Sequence, residues 1–240
     1  MEPIKLSKSR VNAYVSCPYK YHLGYELYLW PLKKSSNLVI GLTTHKIIED
    51  YLRNLVNGQP FAMDKSHQLA WREFPIEKTD FKDSAEYEEA QKLSLSLALL
   101  FIKNTKVNPQ MIEYPFELPL VNLATDKERE DIVWSGIIDH VNSQGEGAVI
   151  ADIKTKAKKG DQFDVRTAFE LTGYAYAYRL ITRKREAGVV LINLIKTKKL
   201  ALQQLSDYRD EEDFFHTLTA VAEGVRGRRF YGNPGLHCNF

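Results

Sequence analysis

The stretches Gly136-Ile137-Ile138-Asp139 and Ala151-Asp152-Ile153-Lys154 decide how the 240-residue chain folds. Each lies in a run of β-branched residues, which favours a β-strand. Residues 142–147, Asn-Ser-Gln-Gly-Glu-Gly, separate the two runs and form a polar, glycine-containing stretch that can close a hairpin. The pattern therefore predicts two antiparallel strands that bring Asp139 close to Asp152.

The second stretch also predicts a chemical arrangement. Side chains alternate along a strand, so Asp152 and Lys154 share one face, while Ala151 and Ile153 share the other. Carboxylates on adjacent strands can bind Mg²⁺, and a lysine beside them can orient water or support negative charge on a phosphodiester. An Asp-x-Lys triplet alone is weak evidence, because surface strands often alternate charges. Carboxylates inside apolar strand runs are costly to bury, and a cation would explain them.

The rest of the chain divides into a helical part and a sheet-containing part. Helical spacing predicts helices at residues 7–30, broken at Cys17-Pro18, and at residues 41–56, 66–104, 163–185 and 214–225. Runs of β-branched and aromatic residues predict strands at residues 111–121, 132–141, 148–153 and 189–195. We therefore predict one domain over residues 1–240, with a mainly helical portion (1–105) and a sheet-containing catalytic core (106–240).

Composition limits the function classes. Apolar residues make up 44% and charged residues 27% of the chain, as in ordinary globular proteins. The net charge is only +2, so a nucleic-acid partner must be recognised by local patches. No apolar run is long enough to cross a bilayer and Met1 to Arg10 do not resemble a signal peptide, so we expect a cytoplasmic protein without a membrane partner. Cys17 and Cys238 are too few for a disulfide framework.

Four residues of the predicted helices are further candidates. His45 begins a predicted helix and can complete a metal site, although a lone histidine is more often a core residue. Glu49, one turn on, can hold the imidazole by a hydrogen bond or be a solvated carboxylate. Glu170 and Tyr174 lie one turn apart after the proposed site, which is equally typical of an ordinary amphipathic helix.

Two segments allow a nucleic-acid interpretation. Residues 154–160 form a basic cluster after a strand, which is either a solvated turn or a phosphate contact. Aromatic residues interleave with lysines near the amino terminus and can stack bases or simply pack between helices. These residues are Tyr19, Lys20, Tyr21, Tyr25, Tyr28, Trp30, Lys33 and Lys34.

Together these motifs resemble the RecB-like branch of the PD-(D/E)XK nuclease superfamily, and most closely its single-domain exonucleases related to CRISPR adaptation nucleases. The motifs in order are Ser7-x-Ser9, Cys17-Pro18-Tyr19-Lys20-Tyr21, Gly41-x-x-x-His45, Gly136-Ile137-Ile138-Asp139, Asp152-Ile153-Lys154-Thr155 and Tyr174. The resemblance implies an α/β, restriction-endonuclease-like fold, in which helices flank a mixed central sheet.

The resemblance also implies roles for individual residues. The implied ligands of Mg²⁺, or of Mn²⁺, are His45, Asp139, Asp152 and the Ile153 carbonyl, and Lys154 is the implied catalytic lysine. Tyr174 matches a downstream motif that usually begins with glutamine, a position that Glu170 occupies here. Many relatives bind a four-iron four-sulfur cluster through four cysteines, and with only Cys17 and Cys238 we expect no cluster in this chain.

The sequence thus predicts a metal-dependent deoxyribonuclease that hydrolyses phosphodiester bonds, as an exonuclease on single-stranded DNA or DNA ends. The resemblance implies a place in DNA repair or recombination, with protein partners in a DNA-processing complex. Two alternatives stay open. One is a non-catalytic DNA-binding or assembly subunit that keeps a nuclease fold, and the other is a nuclease for RNA.

Overall fold

The computed structural model of the chain describes residues 2–145, 147–209 and 212–235. The helices of these ranges are α1 (Lys8–Ser16), α2 (Pro18–Tyr21), α3 (Ser36–Val56), α4 (Met63–Arg72), α5 (Ser84–Asn104), α6 (Gln162–Arg166), α7 (Phe169–Thr182) and α8 (Glu212–Arg226). The strands are β1 (Ile4–Leu6), β2 (Pro109–Asn122), β3 (Lys127–Gln144), β4 (Gly147–Lys156), β5 (Gly188–Ile195) and β6 (Ala201–Asp207). Each helix in these ranges is too short or too polar to cross a membrane.

The strands of the described residues form one mixed sheet. Its order is β1-β3-β4-β5-β6, and β2 pairs along β3. β1 is parallel to β3 and β5 is parallel to β4, whereas the β2–β3, β3–β4 and β5–β6 pairs are antiparallel. Gly145 has φ +60°, a left-handed conformation that glycine adopts at little cost, in the β3–β4 turn. The predicted hairpin and mixed sheet are confirmed.

Helices cover both faces of this sheet. Ile150 packs with Trp134 in a core that includes residues of α1, α7 and α8. Ala151 and Ile153 point to the other face, into a second core that contains residues of α3, α4 and α5. The alternation predicted for β4 is therefore correct. The helical portion shares a core with the strands, as a single domain requires, but the domain boundaries themselves stay a prediction.

Element boundaries differ from the sequence predictions in several places. Helix α3 begins at Ser36, five residues before its predicted start, so His45 lies within the helix. Strands β1 and β6 were not predicted, and neither shows a long apolar run. The helix predicted over 66–104 is interrupted because Pro75 holds an extended backbone. The helix predicted over 163–185 is two helices, because the Arg209 guanidinium donates to the Val165 and Arg166 carbonyls where α6 ends. That last contact comes from a distant part of the chain.

Candidate functional site

The site begins where β3 separates from β4. The β3–β4 ladder ends at the pair His140↔Ala151, and beyond it β3 pairs with β1 instead. The Ile153 N–H donates to Asp139 Oδ2 at 2.8 Å across the gap. Ile138 and Val141 belong to the same apolar core, so the two-residue alternation is broken at Asp139 and His140. This irregularity places Asp139 between the two strands.

Glu113 completes a group of donor atoms that the sequence did not reveal. It lies on β2 between the pairs Ile112↔His140 and Tyr114↔Ile138, with φ 42°, which is uncommon for a residue with a side chain. One donor atom each from His45, Glu113 and Asp139 lies within 4.8 Å of the others, and His45 Nδ1 is 3.6 Å from Asp139 Oδ2. We call His45, Glu113 and Asp139 the donor group.

Glu113 was missed because its surroundings in the sequence are ambiguous. Glu113 and Glu117 occur on the same predicted strand with the same parity. Glu117 is an exposed residue that pairs with Lys5, whereas Glu113 reaches the donor group. Glu113 has a positive φ and Glu117 does not, and an alternating sequence pattern does not reveal this difference.

The charges at the donor group do not balance. Burial first, and then the carboxylates of Asp139 and Glu49, raise the pKa of Glu113 to about 8, and Arg53 offsets only part of this shift. One imidazole nitrogen and two carboxylates are ligands that suit a hard divalent cation. A cation bound here would also relieve the repulsion between the acids. The donor group is therefore a candidate metal site.

Asp152 and Lys154 form a buried ion pair beside the donor group. Lys154 Nζ donates to Asp152 Oδ1 at 2.6 Å, and the Asp152 side chain is fully buried. Burial raises the pKa of Asp152, although Lys154 opposes the shift. Burial alone would lower the pKa of Lys154, but Asp152 and two further carboxylates raise it, so the lysine stays charged. Asp152 lies with Lys154 and is not one of the three members of the donor group.

Glu170 forms ion pairs with two lysines. Lys8 Nζ of α1 donates to Glu170 Oε1 at 2.6 Å, and Lys154 Nζ lies 3.4 Å from the same oxygen. Burial would raise the pKa of Glu170, but Lys154 and Lys8 together lower it. Tyr174, one turn later on α7, is buried, and burial raises the pKa of its hydroxyl. The sequence predicted Glu170 and Tyr174 as site residues but not Lys8.

Side chains from the donor group, β4, α1 and α7 line one cavity of about 800 Å³. Its wall includes Lys8, His45, Glu113, Asp139, Lys154 and Tyr174. Helix α3 forms one side and can approach β4 because Gly41 has no side chain: a Cβ there would lie 3.3 Å from Thr155 Oγ1. A cavity of this volume is within the range of small-ligand sites.

Comparison with known proteins identifies the family. A family model for the PD-(D/E)XK nuclease superfamily matches residues 5–240. The chain belongs to this superfamily. None of the curated proteins compared with it matches.

One solved structure supports the fold of this superfamily member. A crystal structure of a candidate exonuclease from Eubacterium rectale is similar with a TM-score of 0.52 and 13% identity, covering 94% of this chain and 80% of that one. At this identity the likeness concerns the fold alone. The crystal structure of SSO0001 covers 88% of this chain and 84% of that one, with 12% identity and a TM-score of 0.36, which is too low to support any argument. The relationship to CRISPR adaptation nucleases stays a prediction.

The structure bears on the alternatives that the sequence left open for Glu49 and for the aromatic segment. Glu49 Oε1 accepts from Arg53 Nε at 2.7 Å, so Glu49 pairs with Arg53 and not with His45. Tyr21 is buried, and its role is packing. Tyr28 and Trp30 are 74% and 53% exposed, so a role in binding stays a prediction for them.

Cys17 lies against the carboxy-terminal segment. Its side chain is buried, and the Asn233 N–H lies 3.5 Å from its sulfur. Burial raises the pKa of this thiol, but backbone N–H donors outweigh burial and lower it. Cys238 lies outside the described residues, so the expectation that the chain holds no iron–sulfur cluster stays a prediction.

Proposed function

We propose that this superfamily member is a metal-dependent deoxyribonuclease that hydrolyses phosphodiester bonds, as an exonuclease on single-stranded DNA or DNA ends. The supporting observation is that the donor group and Lys154, which is held by the buried Asp152, line one cavity. Membership in a nuclease superfamily supports the phosphodiester as the bond that is cleaved. A role in DNA repair or recombination, with protein partners in a DNA-processing complex, is part of the same proposal.

The donor group is the proposed site for Mg²⁺ or Mn²⁺. His45, Glu113 and Asp139 provide side-chain ligands, and we add the Ile153 carbonyl because the N–H of the same residue already contacts Asp139. Asp152, which the family resemblance implies as a ligand, stays a proposed ligand: it lies beside this group, where its carboxylate adds negative charge and also holds Lys154. When bound, a divalent ion supplies Lewis-acid chemistry to a phosphodiester.

Lys154 is the proposed catalytic lysine. Its ammonium is fixed by Asp152 and faces the cavity. A charge fixed before the reaction stabilises the negative charge that develops on the phosphodiester, without the reorganisation that water would need. The same ammonium can orient the attacking water. Tyr174 keeps its proton, because burial raises its pKa, and can donate a hydrogen bond to a phosphate oxygen.

Glu170 and Lys8 are the proposed positioning residues. Glu170 Oε1 lies 3.4 Å from Lys154 Nζ, and Lys8 balances the charge of Glu170. Glu170 occupies the position of the usual glutamine, and Lys8 neutralises its negative charge. We propose that this pair limits the conformations open to the Lys154 side chain.

Digestion of end-labelled DNA tests the proposed function. Single- and double-stranded substrates are incubated with Mg²⁺, Mn²⁺ or a chelator, beside an RNA of the same sequence. We expect metal-dependent products that shorten progressively from an end, and none with the chelator. Binding without cleavage under all metal conditions would instead support the non-catalytic subunit, and cleavage restricted to RNA would replace DNA as the substrate.

A further inference from the structure

Two loops with the same lysine pattern lie side by side at one end of the sheet. Residues 156–159 read Lys-Ala-Lys-Lys after β4, and residues 196–199 read Lys-Thr-Lys-Lys after β5. β4 and β5 are parallel, with Lys156 opposite Ile195, and the Lys196 N–H donates to the Lys156 carbonyl at 2.8 Å. Adjacent strands are about 4.8 Å apart, so the two loops present their lysines together. We call these eight residues the paired lysine loops.

Four of the six lysines in these loops have no ion-pair partner among the described residues. Lys156 pairs with Asp164 at 2.7 Å, and Lys196 donates to the Asn37 amide oxygen at the same distance. The exposed and uncompensated lysines are Lys158, Lys159, Lys198 and Lys199. Like charges placed this close repel each other and do not stabilise the fold. Such a patch, in a chain whose net charge is only +2, is suited to a polyanion.

The paired lysine loops adjoin the cavity of the donor group. Asn37, which holds Lys196, lines that cavity, as does Thr155 at the end of β4. Lys34, near the start of α3, lines the cavity too and lies over the Phe74 ring, 4.9 Å from its centre. The paired lysine loops therefore lie at the edge of a cavity whose wall also carries Lys34 and the proposed catalytic lysine, Lys154.

We propose that the paired lysine loops bind the phosphate backbone of the DNA strand and guide it to the cavity. This inference rests on the proposed function, because it takes the occupant of the cavity to be a DNA strand. Phosphates spaced along a strand match two adjacent rows of lysines, whereas a small ligand in the cavity would not reach them. Binding through lysines and phosphates is independent of sequence and depends strongly on salt.

The test compares two variants that lose the same charge. The patch variant combines Lys158→Gln, Lys159→Gln, Lys198→Gln and Lys199→Gln. The control variant combines Lys92→Gln, Lys103→Gln, Lys106→Gln and Lys184→Gln, which are exposed lysines away from the loops. Binding of labelled single-stranded DNA is measured in a chelator, so that cleavage cannot interfere, over a range of salt concentrations. Thermal unfolding of both variants is recorded in parallel.

We expect the patch variant to bind DNA more weakly on the order of 10²-fold at 0.1 M salt, with a salt slope smaller by about 0.7 for each lost phosphate contact. The control should stay within about threefold of the original protein, and the melting temperature of the patch variant should not fall, since repulsion is removed. Equal affinity of the two variants, or no DNA binding by the original protein, would overturn the inference and leave an acidic protein surface as the partner.

Cleavage by the original protein with Mg²⁺ separates this inference from the proposed function. Patch-dependent binding without cleavage would reject the nuclease activity and keep the paired lysine loops as a DNA surface. Cleavage together with patch-independent binding would keep the nuclease activity and reject the loops.

Discussion

Asp131 and Asp139 lie on the same strand, β3, in opposite electrostatic surroundings. Asp131 accepts a hydrogen bond from Arg129 at 2.8 Å and pairs with Arg226 of α8. The hydrogen bond from Arg129 holds the pKa of Asp131 well below its usual range, and Arg226 adds to the effect. Asp139 lies instead beside Glu113, whose pKa is raised, and its ion-pair contact in the described part of the chain is with His45.

The difference separates a structural carboxylate from a binding one. Asp131 joins β3 to α8 and has its cations within the fold. The acids around Asp139 repel each other, so folding tolerates them without gaining stability from them. Unfavourable charge of this kind is common where a protein binds a ligand, because stability is traded for function. Five sets of substitutions in and around the two regions test this contrast.

Asp139→Ala should have the largest effect on activity. We expect cleavage to fall by roughly 10³-fold, because several kcal/mol of charge stabilisation are lost with the cation. Calorimetry should show weaker binding of Mg²⁺ or Mn²⁺. Asp139→Asn, which keeps an acceptor for the Ile153 N–H, should bind the metal weakly too without a lower melting temperature in chelator. Asp131→Ala is the matched control on the same strand and should cleave normally. Unchanged metal affinity in Asp139→Ala would contradict the proposed site.

Lys154→Met should reduce cleavage by about 10²–10³-fold with metal affinity preserved. The variant leaves Asp152 buried without its partner, so its stability must be checked by thermal unfolding. Lys154→Arg keeps the charge pair and serves as the second variant. Slow cleavage by a stable Lys154→Arg protein would show that position as well as charge matters, whereas near-normal rates in Lys154→Met would exclude the lysine from catalysis.

Glu113→Gln should weaken metal binding and stabilise the metal-free protein. The raised pKa means that the folded state holds its proton over a range in which the unfolded state has lost it. Stability of the original protein therefore falls as pH rises from about 4.3 to about 8. In chelator, the melting temperature of the variant should exceed that of the original protein more at pH 8 than at pH 5. A lower melting temperature at pH 8 would mean that Glu113 is structural.

Lys8→Met and Glu170→Gln should be coupled. Lys8→Met leaves the Glu170 carboxylate to draw Lys154 away from Asp152, so cleavage should slow, while Glu170→Gln should keep DNA affinity level or raise it. In the Glu170→Gln background, Lys8→Met should cost less transition-state stabilisation than it does in the original protein. The difference should be about 0.5–3 kcal/mol. Independent, additive effects on kcat/KM would argue against a positioning role. Loss of metal binding in Glu170→Gln would make Glu170 a ligand.

Asp131→Asn should have the smallest effect. We expect the free energy of unfolding to decrease by about 1 kcal/mol or less at pH 7, because solvent screens this partly exposed network. The folded pKa is depressed, so the stabilisation is present above the unfolded pKa of about 3.9 and is lost as pH falls through the folded value. Urea unfolding at pH 7 and during acid titration measures this. Impaired cleavage by Asp131→Asn would contradict the conclusion that Asp131 is structural and Asp139 is not.

Much of the secondary structure follows from local sequence patterns. Runs of β-branched and aromatic residues predicted the positions of β2, β3, β4 and β5. The polar residues 142–147 predicted the hairpin between β3 and β4. Alternation then assigned Asp152 and Lys154 to one face of β4, because the period of a strand is set by its own backbone. Local patterns did not predict a helix end where a residue from a distant part of the chain binds it, as Arg209 does at the end of α6.

The sequence by itself thus determined four strands and the hairpin between two of them, since strand alternation is a local property. Through its ordered motifs it also predicted a mixed sheet and the candidate residues His45, Asp139, Asp152 and Lys154. Only the tertiary structure decided that Glu113 joins the donor group and that Lys8 balances Glu170. It also brought together two lysine loops that are separated in sequence by α6 and α7. A single sequence does not encode such contacts in a readable form, because they depend on strand register, backbone irregularity and helix packing.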